Sequence, residues 1–600
     1  MLGLFRMLIV TFLSVFTCLY ASPLIINVDG RSSTDLHGNW NFIIDPYETG
    51  YYDYRYHPSE NGYFKNRKPQ TKSDRVEYSF DSEDLLHVPG DWNSQSEKLF
   101  LYEGTIWFKK SFNYRKKPDS RIFIYFGAIN YQAKVYLNGE FVGEHEGGFT
   151  PFNSEITNLI KEEDNFLIVK ADNRRYREAV PTLNTDWFNY GGITRRVLLV
   201  EVPETFVRDY FVQLDKNSRN KISGWAQLDG ENKEQKFHIL IPELKIDNKY
   251  RTDRTGYARF DVQAEPELWS PENPKLYNVF IETESDTIRD RIGFRKIEVN
   301  GTDILLNGKP VFLRGISIHE EAPFMDGARA YAREHAKILL NWAKELNCNF
   351  VRLAHYPHNE YMTRIADEIG LLVWSEIPVY WTILWENEAT FNNARLQLTE
   401  MITRDKNRAS VILWSMANET PVSEPRLQFL KKLADLARTL DPTRLITAAM
   451  ERHYINEHTL MIDDPFGEYV DVLGCNSYIG WYDGLPAKCD SVEWKTIYDK
   501  PLIMSEFGAG ALYGYHGDKL TRWTEEFQLY VYGKNLKMLQ KIPFIRGMTP
   551  WILKDFRSPR RPLPVIQDFW NRKGLVSDKG QKKQAYYLLK EFYDEIIQKK

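Results

Sequence analysis

Cysteine is scarce in this sequence, with four residues among 600. Cys18, Cys348, Cys475 and Cys489 form no CxxC pair, so their spacing indicates neither a zinc site nor a disulfide framework. An excess of charge of one sign is also missing, because 78 Lys and Arg nearly balance 82 Asp and Glu for a formal net charge of −4. The sequence therefore lacks the excess of positive charge that would indicate nucleic acid binding.

Long apolar runs are missing as well, apart from one near the N-terminus. Residues 7–16 are mostly apolar, follow a basic residue and lead into small residues around position 21. The run is too short to span a membrane. The pattern predicts an export signal, residues 1–21, and hence a periplasmic or secreted protein. Lipid attachment at Cys18 is the alternative, weakened because Thr17 is not the small residue usual before a lipidated cysteine.

Aromatic residues, by contrast, are abundant at 14% of the chain, with 16 Trp and 35 Tyr. Their rings suit surfaces that stack on sugars, but they also fill the cores of large β-sandwiches, so this excess alone leaves both interpretations open. Six hundred residues are too many for one core, which predicts two to four domains.

The first part of the mature chain is predicted to be a β-sandwich. From about residue 22 to residue 203, short alternating segments such as Ile122–Phe126 are broken by Gly, Pro and Asn. Asn138-Gly139 between two such segments is a strong signal for a two-residue hairpin turn. Residues 204–298 give another set of short strands, about the length of one small β-sandwich.

From residue 299 to residue 600 the sequence pattern changes. Short apolar runs alternate there with predicted amphipathic helices, which is the pattern of repeated βα units. Eight such runs are predicted as strands, and together they predict a (β/α)₈ barrel. They begin at Val311, Phe350, Leu371, Val411, Leu445, Val472, Leu502 and Gly547.

Polar or aromatic residues follow five of these runs, where the carboxyl ends of barrel strands usually carry the functional groups. One such residue alone is usually just a hydrogen-bonded structural residue, whereas several on one rim favour a site. They are His355 after the second run, Asn418 and Glu419 after the fourth, Tyr478 after the sixth, Glu506 after the seventh and Trp551 in the eighth.

Residues 405–419, which end in Asn418-Glu419, resemble a signature of glycoside hydrolase family 2, the family of β-galactosidases, β-glucuronidases and β-mannosidases. Residues 147–152 resemble its sugar-binding domain. The resemblance implies a jelly-roll β-sandwich at 22–203, an immunoglobulin-like β-sandwich at 204–298 and a catalytic TIM barrel at 299–600. No cofactor or metal is expected.

The resemblance also implies roles for individual residues. Glu419 corresponds to the general acid/base, and Glu506, in a Glu-aromatic-Gly context, resembles the nucleophile. A retaining glycosidase holds two such carboxylates roughly 5–5.5 Å apart. The further implied substrate contacts are Asn418 to the sugar 2-hydroxyl, Tyr478 as a positioning group for Glu506, Trp551 as an apolar platform, His355 at the rim, and Asp186 of the first domain to the far hydroxyls.

The choice of sugar depends on Asn571 and Lys573 beyond the eighth strand. Family β-glucuronidases bind the sugar carboxylate with an Asn-x-Lys at this place, and a carboxylate does prefer an ammonium and an amide donor. The Arg that often precedes this motif by four residues is Gln567 here. The cluster Lys554, Arg557, Arg560 and Arg561 could replace that cation, bind a second acidic unit of a polymeric substrate, or remain a solvated loop.

The expected activity is therefore removal of a terminal β-linked glucuronic acid from a glucuronide or a uronic-acid-containing oligosaccharide. A β-galacturonidase or a β-galactosidase of the same family is the alternative. A non-catalytic carbohydrate-binding protein is the alternative from another class. The sequence leaves open whether the chain forms a homo-oligomer.

Overall fold

The structure is a computed structural model that describes residues 23–81 and 84–599. The predicted export signal at 1–21 lies outside these residues. Two antiparallel β-sandwiches precede a closed eight-stranded barrel, so the predicted fold class is confirmed. No helix within the described ranges is long and apolar enough to cross a membrane.

The first sandwich consists of a four-stranded sheet, in the order β1-β10-β5-β8, and a six-stranded sheet, in the order β3-β2-β4-β9-β6-β7. The predicted turn at Asn138-Gly139 is confirmed, because it joins β6 to β7 with φ of 55° and 85°. The strands are β1 Ser32–Asp35, β2 Gly38–Ile44, β3 Leu85–Val88, β4 Thr105–Phe112, β5 Ser120–Phe126, β6 Gln132–Leu137, β7 Glu140–Glu146, β8 Phe152–Glu155, β9 Asn165–Asp172 and β10 Val197–Pro203.

The second sandwich packs the sheet β11-β12-β15 against the sheet β14-β13-β16-β17. Strand β17 shows the pattern of a sheet with one buried face, since Ile288, Asp290 and Ile292 are buried and alternate with exposed residues. The strands are β11 Phe206–Leu214, β12 Lys221–Asp229, β13 Lys236–Ile241, β14 Ile246–Arg251, β15 Tyr257–Gln263, β16 Tyr277–Thr283 and β17 Thr287–Ile292.

The barrel closes in the order β21-β22-β23-β24-β25-β28-β30-β31, so all eight predicted strands are present. They are β21 Leu313–Ile318, β22 Phe350–Leu353, β23 Leu372–Glu376, β24 Val411–Asn418, β25 Leu445–Met450, β28 Leu473–Asn476, β30 Leu502–Glu506 and β31 Ile545–Met548. The described residues include six α-helices, α1 Arg333–Glu345, α2 Glu360–Ile369, α3 Glu388–Asp405, α4 Glu424–Leu440, α5 Glu525–Leu539 and α6 Gln584–Gln598.

Short strands outside the barrel complete the description. A three-stranded sheet precedes the barrel, and one strand pair follows the eighth barrel strand. Another three-stranded sheet takes two strands from the segment after the fifth barrel strand and one from the segment after the sixth. They are β18 Ile297–Asn300, β19 Asp303–Leu306, β20 Lys309–Pro310, β26 His453–Asn456, β27 Thr459–Ile462, β29 Glu493–Thr496, β32 Phe556–Arg557 and β33 Trp570–Asn571.

The fourth barrel strand, β24, is longer than the apolar run that predicts it. Pairing with β25 continues through a register shift between Ser415 and Asn418, so the strand ends four residues beyond Trp414. Glu419 then adopts a left-handed backbone conformation with φ of 48°, which costs about 1–2 kcal/mol in a residue with a Cβ. A hydrogen bond from its N–H to the carbonyl of Ala449, at 2.9 Å, helps to hold this turn at the barrel rim.

A loop of the first sandwich packs onto the same rim. Trp187 belongs to a buried aromatic cluster with Tyr356, Tyr380 and Trp551 of the barrel. Its ring centroid lies 4.9 Å from that of Tyr380 and 5.8 Å from that of His355. Burying these large rings anchors the loop, and the neighbouring Asp186 is thereby brought to the barrel mouth.

Candidate active site

Glu506 is the last residue of β30 and is only 4% exposed. The Tyr478 hydroxyl donates to its Oε2 at 2.6 Å, and Arg352 Nη1 donates to its Oε1 at 2.8 Å. Burial, with the nearby Glu419, raises the pKa of Glu506 above its usual value, although Arg352, His355 and Tyr478 oppose this rise. These donors orient both oxygens of the carboxylate and favour its anionic form.

Arg352 links Glu506 to a second buried carboxylate, Glu376. Its Nη2 and Nε donate to the two oxygens of Glu376 at 3.1 and 3.2 Å. Burial alone would raise the pKa of Glu376, but Arg352 and the hydrogen bond from His355 lower it to about 2. Glu376 thus stays ionised and compensates the charge of an arginine that is fully buried.

We expect Glu376→Gln to lower the free energy of unfolding by about 3 kcal/mol at pH 7, because it removes one partner of a buried ion pair. A carboxylate with a folded-state pKa of about 2 and an unfolded value of about 4.3 stabilises the fold above pH 4.3 and loses that effect as pH falls towards 2. The difference between wild type and variant, measured by urea unfolding of the barrel, should therefore narrow between pH 7 and pH 3.

Glu591→Gln is the matched control, because Glu591 is exposed on α6. It should leave the unfolding midpoint unchanged at both pH values. An unchanged midpoint for Glu376→Gln at pH 7 would contradict the role assigned to the ion pair.

Glu419 has a different environment from Glu506. Trp381 Nε1 donates to its Oε2 at 2.9 Å, and Asn476 Nδ2 donates to its Oε1 at 2.9 Å. Both donors are neutral, and no cation of the described residues forms an ion pair with this carboxylate. The two glutamates therefore differ in what surrounds them, as a reaction that needs one carboxylate and one carboxylic acid requires.

Asn418 connects the two glutamates. Its Oδ1 accepts from Arg352 Nη2 at 2.7 Å and from Asn476 Nδ2 at 3.2 Å, so hydrogen bonds run from Glu419 through three side chains to Glu506. The amide Nδ2 of Asn418 is buried and has no hydrogen-bond partner among residues 23–81 and 84–599. An unpaired buried donor beside the two glutamates is available to a substrate hydroxyl.

Aromatic rings enclose the space around the glutamates. The imidazole of His355 stacks on Trp551 with ring centroids 4.8 Å apart and an interplanar angle of 21°. Burial, followed by the charges of Asp186, Glu419 and Glu506, raises the pKa of Tyr380 well above its usual value, so this hydroxyl stays a neutral donor. The arrangement suits a sugar ring, which presents apolar C–H faces and polar edges.

Asp186 reaches the barrel from the first domain and meets Asn571 there. Asn571 Nδ2 donates to Asp186 Oδ2 at 3.2 Å, and Ser558 Oγ donates to Oδ1 at 2.6 Å. Arg561 Nε donates to Oδ1 at 3.0 Å, and a second guanidinium nitrogen bonds Oδ2. Asp186 and Asn571 are thus brought together, although their positions in the chain are 385 residues apart.

Lys573 lies beside this group and is 4% exposed. Its Nζ donates to the Tyr482 hydroxyl at 2.9 Å and lies 5.6 Å from the ring centroids of Tyr478 and Trp481. No carboxylate of the described residues forms an ion pair with it. A buried ammonium without an acidic partner is costly unless a ligand supplies the charge.

Four cations are candidates to replace the arginine that is missing at Gln567, and each has a different partner in the structure. Arg561 binds Asp186, whereas Lys554 donates to the Asp555 carbonyl at 2.9 Å and Arg557 pairs with Asp326 at 2.9 Å. Arg560 lies over the ring of Trp381 at 4.6 Å. Of the four, only Arg561 contacts the cluster of Asp186 and Asn571. No group of His, Cys, Asp and Glu within the described ranges could hold a metal ion.

Comparison with known proteins identifies the family of this chain. Residues 297–598 match the TIM barrel domain of glycosyl hydrolases family 2, and residues 34–203 and 205–295 match its sugar-binding and central domains. The chain belongs to glycoside hydrolase family 2. It is a glycosidase, and the resemblance inferred from residues 405–419 is confirmed.

Relatives of this family 2 protein include a β-glucuronidase of Paenibacillus borealis, 26% identical over 94% of this chain and 97% of the relative. The structure of a β-glucuronidase from an uncultured Clostridium has a TM-score of 0.79 and 25% identity, covering 96% of this chain and all of that one. A β-galacturonidase from Eisenbergiella tayi, bound to galacturonate, has the same fold, with a TM-score of 0.77 and 24% identity over 95% of this chain and 98% of that one.

Several residues of this family 2 site were not predicted as site residues. Arg352, Glu376 and Asn476 each lie at or near the carboxyl end of a barrel strand, so the strand-end rule could have found them. Trp381 lies in the loop after the third barrel strand, where the sequence has no periodicity that indicates a contact. Arg561, in the loop after the eighth, is one of the four candidate cations, but nothing in the sequence indicates Asp186 as its partner.

Proposed function

We propose that this protein is a retaining, exo-acting β-glucuronidase. The observation that carries the proposal is the buried Lys573 ammonium, which has no carboxylate partner among the described residues. Lys573 lies next to Asn571 and 5.6 Å from the ring centroid of Tyr478, whose hydroxyl donates to Glu506. A glucuronic acid ring presents a carboxylate that matches an ammonium and an amide donor. A neutral sugar would leave the charge of Lys573 uncompensated.

In the first step, the Glu506 carboxylate attacks the anomeric carbon while Glu419 donates its proton to the leaving oxygen. A bond forms between a Glu506 oxygen and the sugar, and the glycosidic C–O bond breaks as the alcohol leaves. Arg352 and Tyr478 hold the two oxygens of Glu506, which fixes the direction of attack.

In the second step, Glu419, now a carboxylate, removes a proton from water, which attacks the same carbon and releases Glu506. Trp381 and Asn476 keep Glu419 in place through both steps, because each donates to one of its oxygens. The unpaired amide of Asn418 donates to the 2-hydroxyl, a contact that strengthens as positive charge develops on the ring.

The far side of the ring lies towards Asn571, Lys573 and Arg561. Arg561 and Lys573 flank the Tyr482 hydroxyl. Although burial of this hydroxyl opposes them, the two cations lower the pKa of Tyr482. Tyr482 as a whole is 59% exposed, and its hydroxyl is the part that contacts the Lys573 ammonium. The sugar carboxylate would bind next to Lys573, Arg561 and the Tyr482 hydroxyl.

We expect Lys573→Ala to lower kcat/KM for nitrophenyl β-glucuronide about 100-fold, because it removes a charge-assisted hydrogen bond in a buried site. The value for nitrophenyl β-glucoside, which lacks the carboxylate, should not fall. Steady-state assays of both substrates measure the effect. Lys579→Ala is the control, since Lys579 is an exposed lysine six residues away, and it should change neither value.

Equal losses on the acidic and the neutral substrate would contradict the role of Lys573. The same assay with nitrophenyl β-galacturonide and β-galactoside separates the alternatives. Faster turnover of the galacturonide would show that the substrate sugar is galacturonic acid, the epimer of glucuronic acid. A preference for the neutral galactoside would contradict the proposed site for the sugar carboxylate.

We also propose that the protein is exported, on the strength of the apolar run and small residues within positions 1–21. Export predicts that the mature chain begins near residue 22 and lies outside the cytoplasm. Fractionation of cells followed by N-terminal sequencing tests this, and a cytoplasmic chain that keeps its first residue would contradict it.

A further inference from the structure

A cavity lies beside the acid/base Glu419, and Asn571, Lys573 and Arg561 of the proposed sugar-carboxylate site are not among its lining residues. Its volume is about 440 Å³. It is lined, among others, by Asn184, Trp381, Glu419, Glu451, Arg452 and Asn476. Glu419 donates its proton to the leaving oxygen, so a cavity beside this carboxyl is where the group attached through that oxygen must lie.

Arg452 is the cation of this cavity. It lies two residues after the end of β25, is half-buried, and forms no ion pair with an acidic residue among those the structure describes. Its Nε is buried without a hydrogen-bond partner. A guanidinium in this state has donors free for an anion, and its planar fork matches the oxygens of a carboxylate or a sulfate.

The neighbouring Glu451 lines the same cavity, and its carboxylate, when ionised, would repel an anion bound there. Burial, and then the negative charge of Glu419, raise the pKa of Glu451, while Arg452 acts to lower it. Its carboxyl can accept hydrogen bonds from sugar hydroxyls. The cavity therefore offers both a donor for an anion and an acceptor for hydroxyls.

Arg560 adds a second cation at the edge of the cavity. Its guanidinium lies 4.6 Å from the centre of the Trp381 ring, and its Nη1 donates to Asn184 Oδ1 at 2.6 Å. Trp381 and Asn184 both line the cavity. Arg560 is exposed, and no carboxylate of the described residues forms an ion pair with it. Two unpaired arginines thus border one cavity that contains an aromatic ring.

We infer that this cavity is a leaving-group subsite for an anionic sugar, and that the natural substrate is an acidic oligosaccharide. The sugar next to the bond that is cleaved would lie against Trp381, with its carboxylate or sulfate group between Arg452 and Arg560. This inference rests on the proposed function, because it takes Glu419 as the acid and the uronic acid as the sugar released. Beyond the proposed function, the inference identifies the group to which the released uronic acid is attached in the substrate, namely an acidic sugar.

The test compares three disaccharides that share a non-reducing glucuronic acid and differ in the second sugar, which is neutral, carries a carboxylate or carries a sulfate. Wild type is expected to show a higher kcat/KM for at least one acidic disaccharide than for the neutral one. In Arg452→Gln the ratio of acidic to neutral kcat/KM should fall about 10- to 100-fold, the effect of one charge-assisted hydrogen bond. Comparing the two acidic disaccharides identifies which anion is recognised.

Arg560→Gln provides an independent variant and should lower the same ratio, by less because Arg560 is exposed. Arg254→Gln, an exposed arginine of the second sandwich, is the matched control and should leave the ratio unchanged. A wild-type enzyme without preference for acidic disaccharides, or an Arg452 variant that loses activity equally on all three, would overturn the inference. Thermal unfolding of each variant verifies that the compared proteins are folded.

Failure of this inference can be distinguished from failure of the proposed function. Nitrophenyl β-glucuronide has no second sugar, so its hydrolysis by wild type reports only on the uronic acid site. If it is hydrolysed and the acidic disaccharides are not preferred, only the leaving-group subsite is wrong. If wild type hydrolyses nitrophenyl β-galacturonide instead, the same three second sugars are tested with galacturonic acid as the first.

Discussion

Glu506→Gln is expected to lower kcat on nitrophenyl β-glucuronide by about 10⁴-fold or more, the scale of removing a nucleophile. The amide cannot form the covalent bond to the anomeric carbon, so the two-step route is lost. Tyr478 and Arg352 hold this side chain at 2.6 and 2.8 Å, and a glutamine of nearly the same shape retains the fold around it. Steady-state kinetics with an active-site titration of the wild type measures the loss.

Glu591→Gln is the matched control, because it makes the same chemical change on the exposed face of α6. It should leave kcat unchanged. Turnover of Glu506→Gln within tenfold of wild type would show that another group is the nucleophile. Retained sugar affinity without turnover in both the wild type and the variant would instead identify a non-catalytic carbohydrate-binding protein.

Glu419→Gln is expected to have the second largest effect, and its size should depend on the leaving group. General acid catalysis contributes about 10²- to 10⁴-fold. The loss should approach the upper value for an alkyl glucuronide, whose alcohol needs the proton, and should be far smaller for formation of the covalent intermediate from dinitrophenyl glucuronide. Because Glu419 also activates water, the variant should accumulate that intermediate with the activated substrate.

Pre-steady-state kinetics with dinitrophenyl glucuronide measures this accumulation as a burst of released phenol. Mass spectrometry of the quenched enzyme should show one added uronic acid on Glu506. Equal losses on the alkyl and the dinitrophenyl substrate would be incompatible with Glu419 as the acid. Asn476 and Trp381 contact Glu419 through neutral donors, so the substitution leaves no buried cation unpaired.

Much of the barrel could be predicted from the sequence. Its eight apolar runs became eight strands, because a strand buried on both faces needs a short continuous apolar segment and helices need a 3.6-residue period. The end of β24 was less predictable. The apolar run stops at Trp414, whereas the strand continues to Asn418, since pairing with β25 overrides the local change in composition.

Part of the candidate site could also be predicted. Parallel strands end on one rim, so Asn418, Tyr478 and Glu506 had to face a common space once the barrel was inferred. Tyr478 does donate to Glu506. The partners of the cations could not be predicted. Arg561, one of four candidates in its loop, binds Asp186 of another domain, and nothing in the local sequence separates it from Arg560.

The sequence by itself determined the order of domains, the strands of the barrel and the two glutamates at their ends, because periodicity and strand direction are local properties of the chain. Only the tertiary structure decided which charges meet. Arg352 meets Glu506 across 154 residues, and Asp186 meets Arg561 across 375. Such contacts depend on barrel closure and on the packing of Trp187 against the rim. The cavity beside Glu419, with its unpaired Arg452, depends on them in the same way.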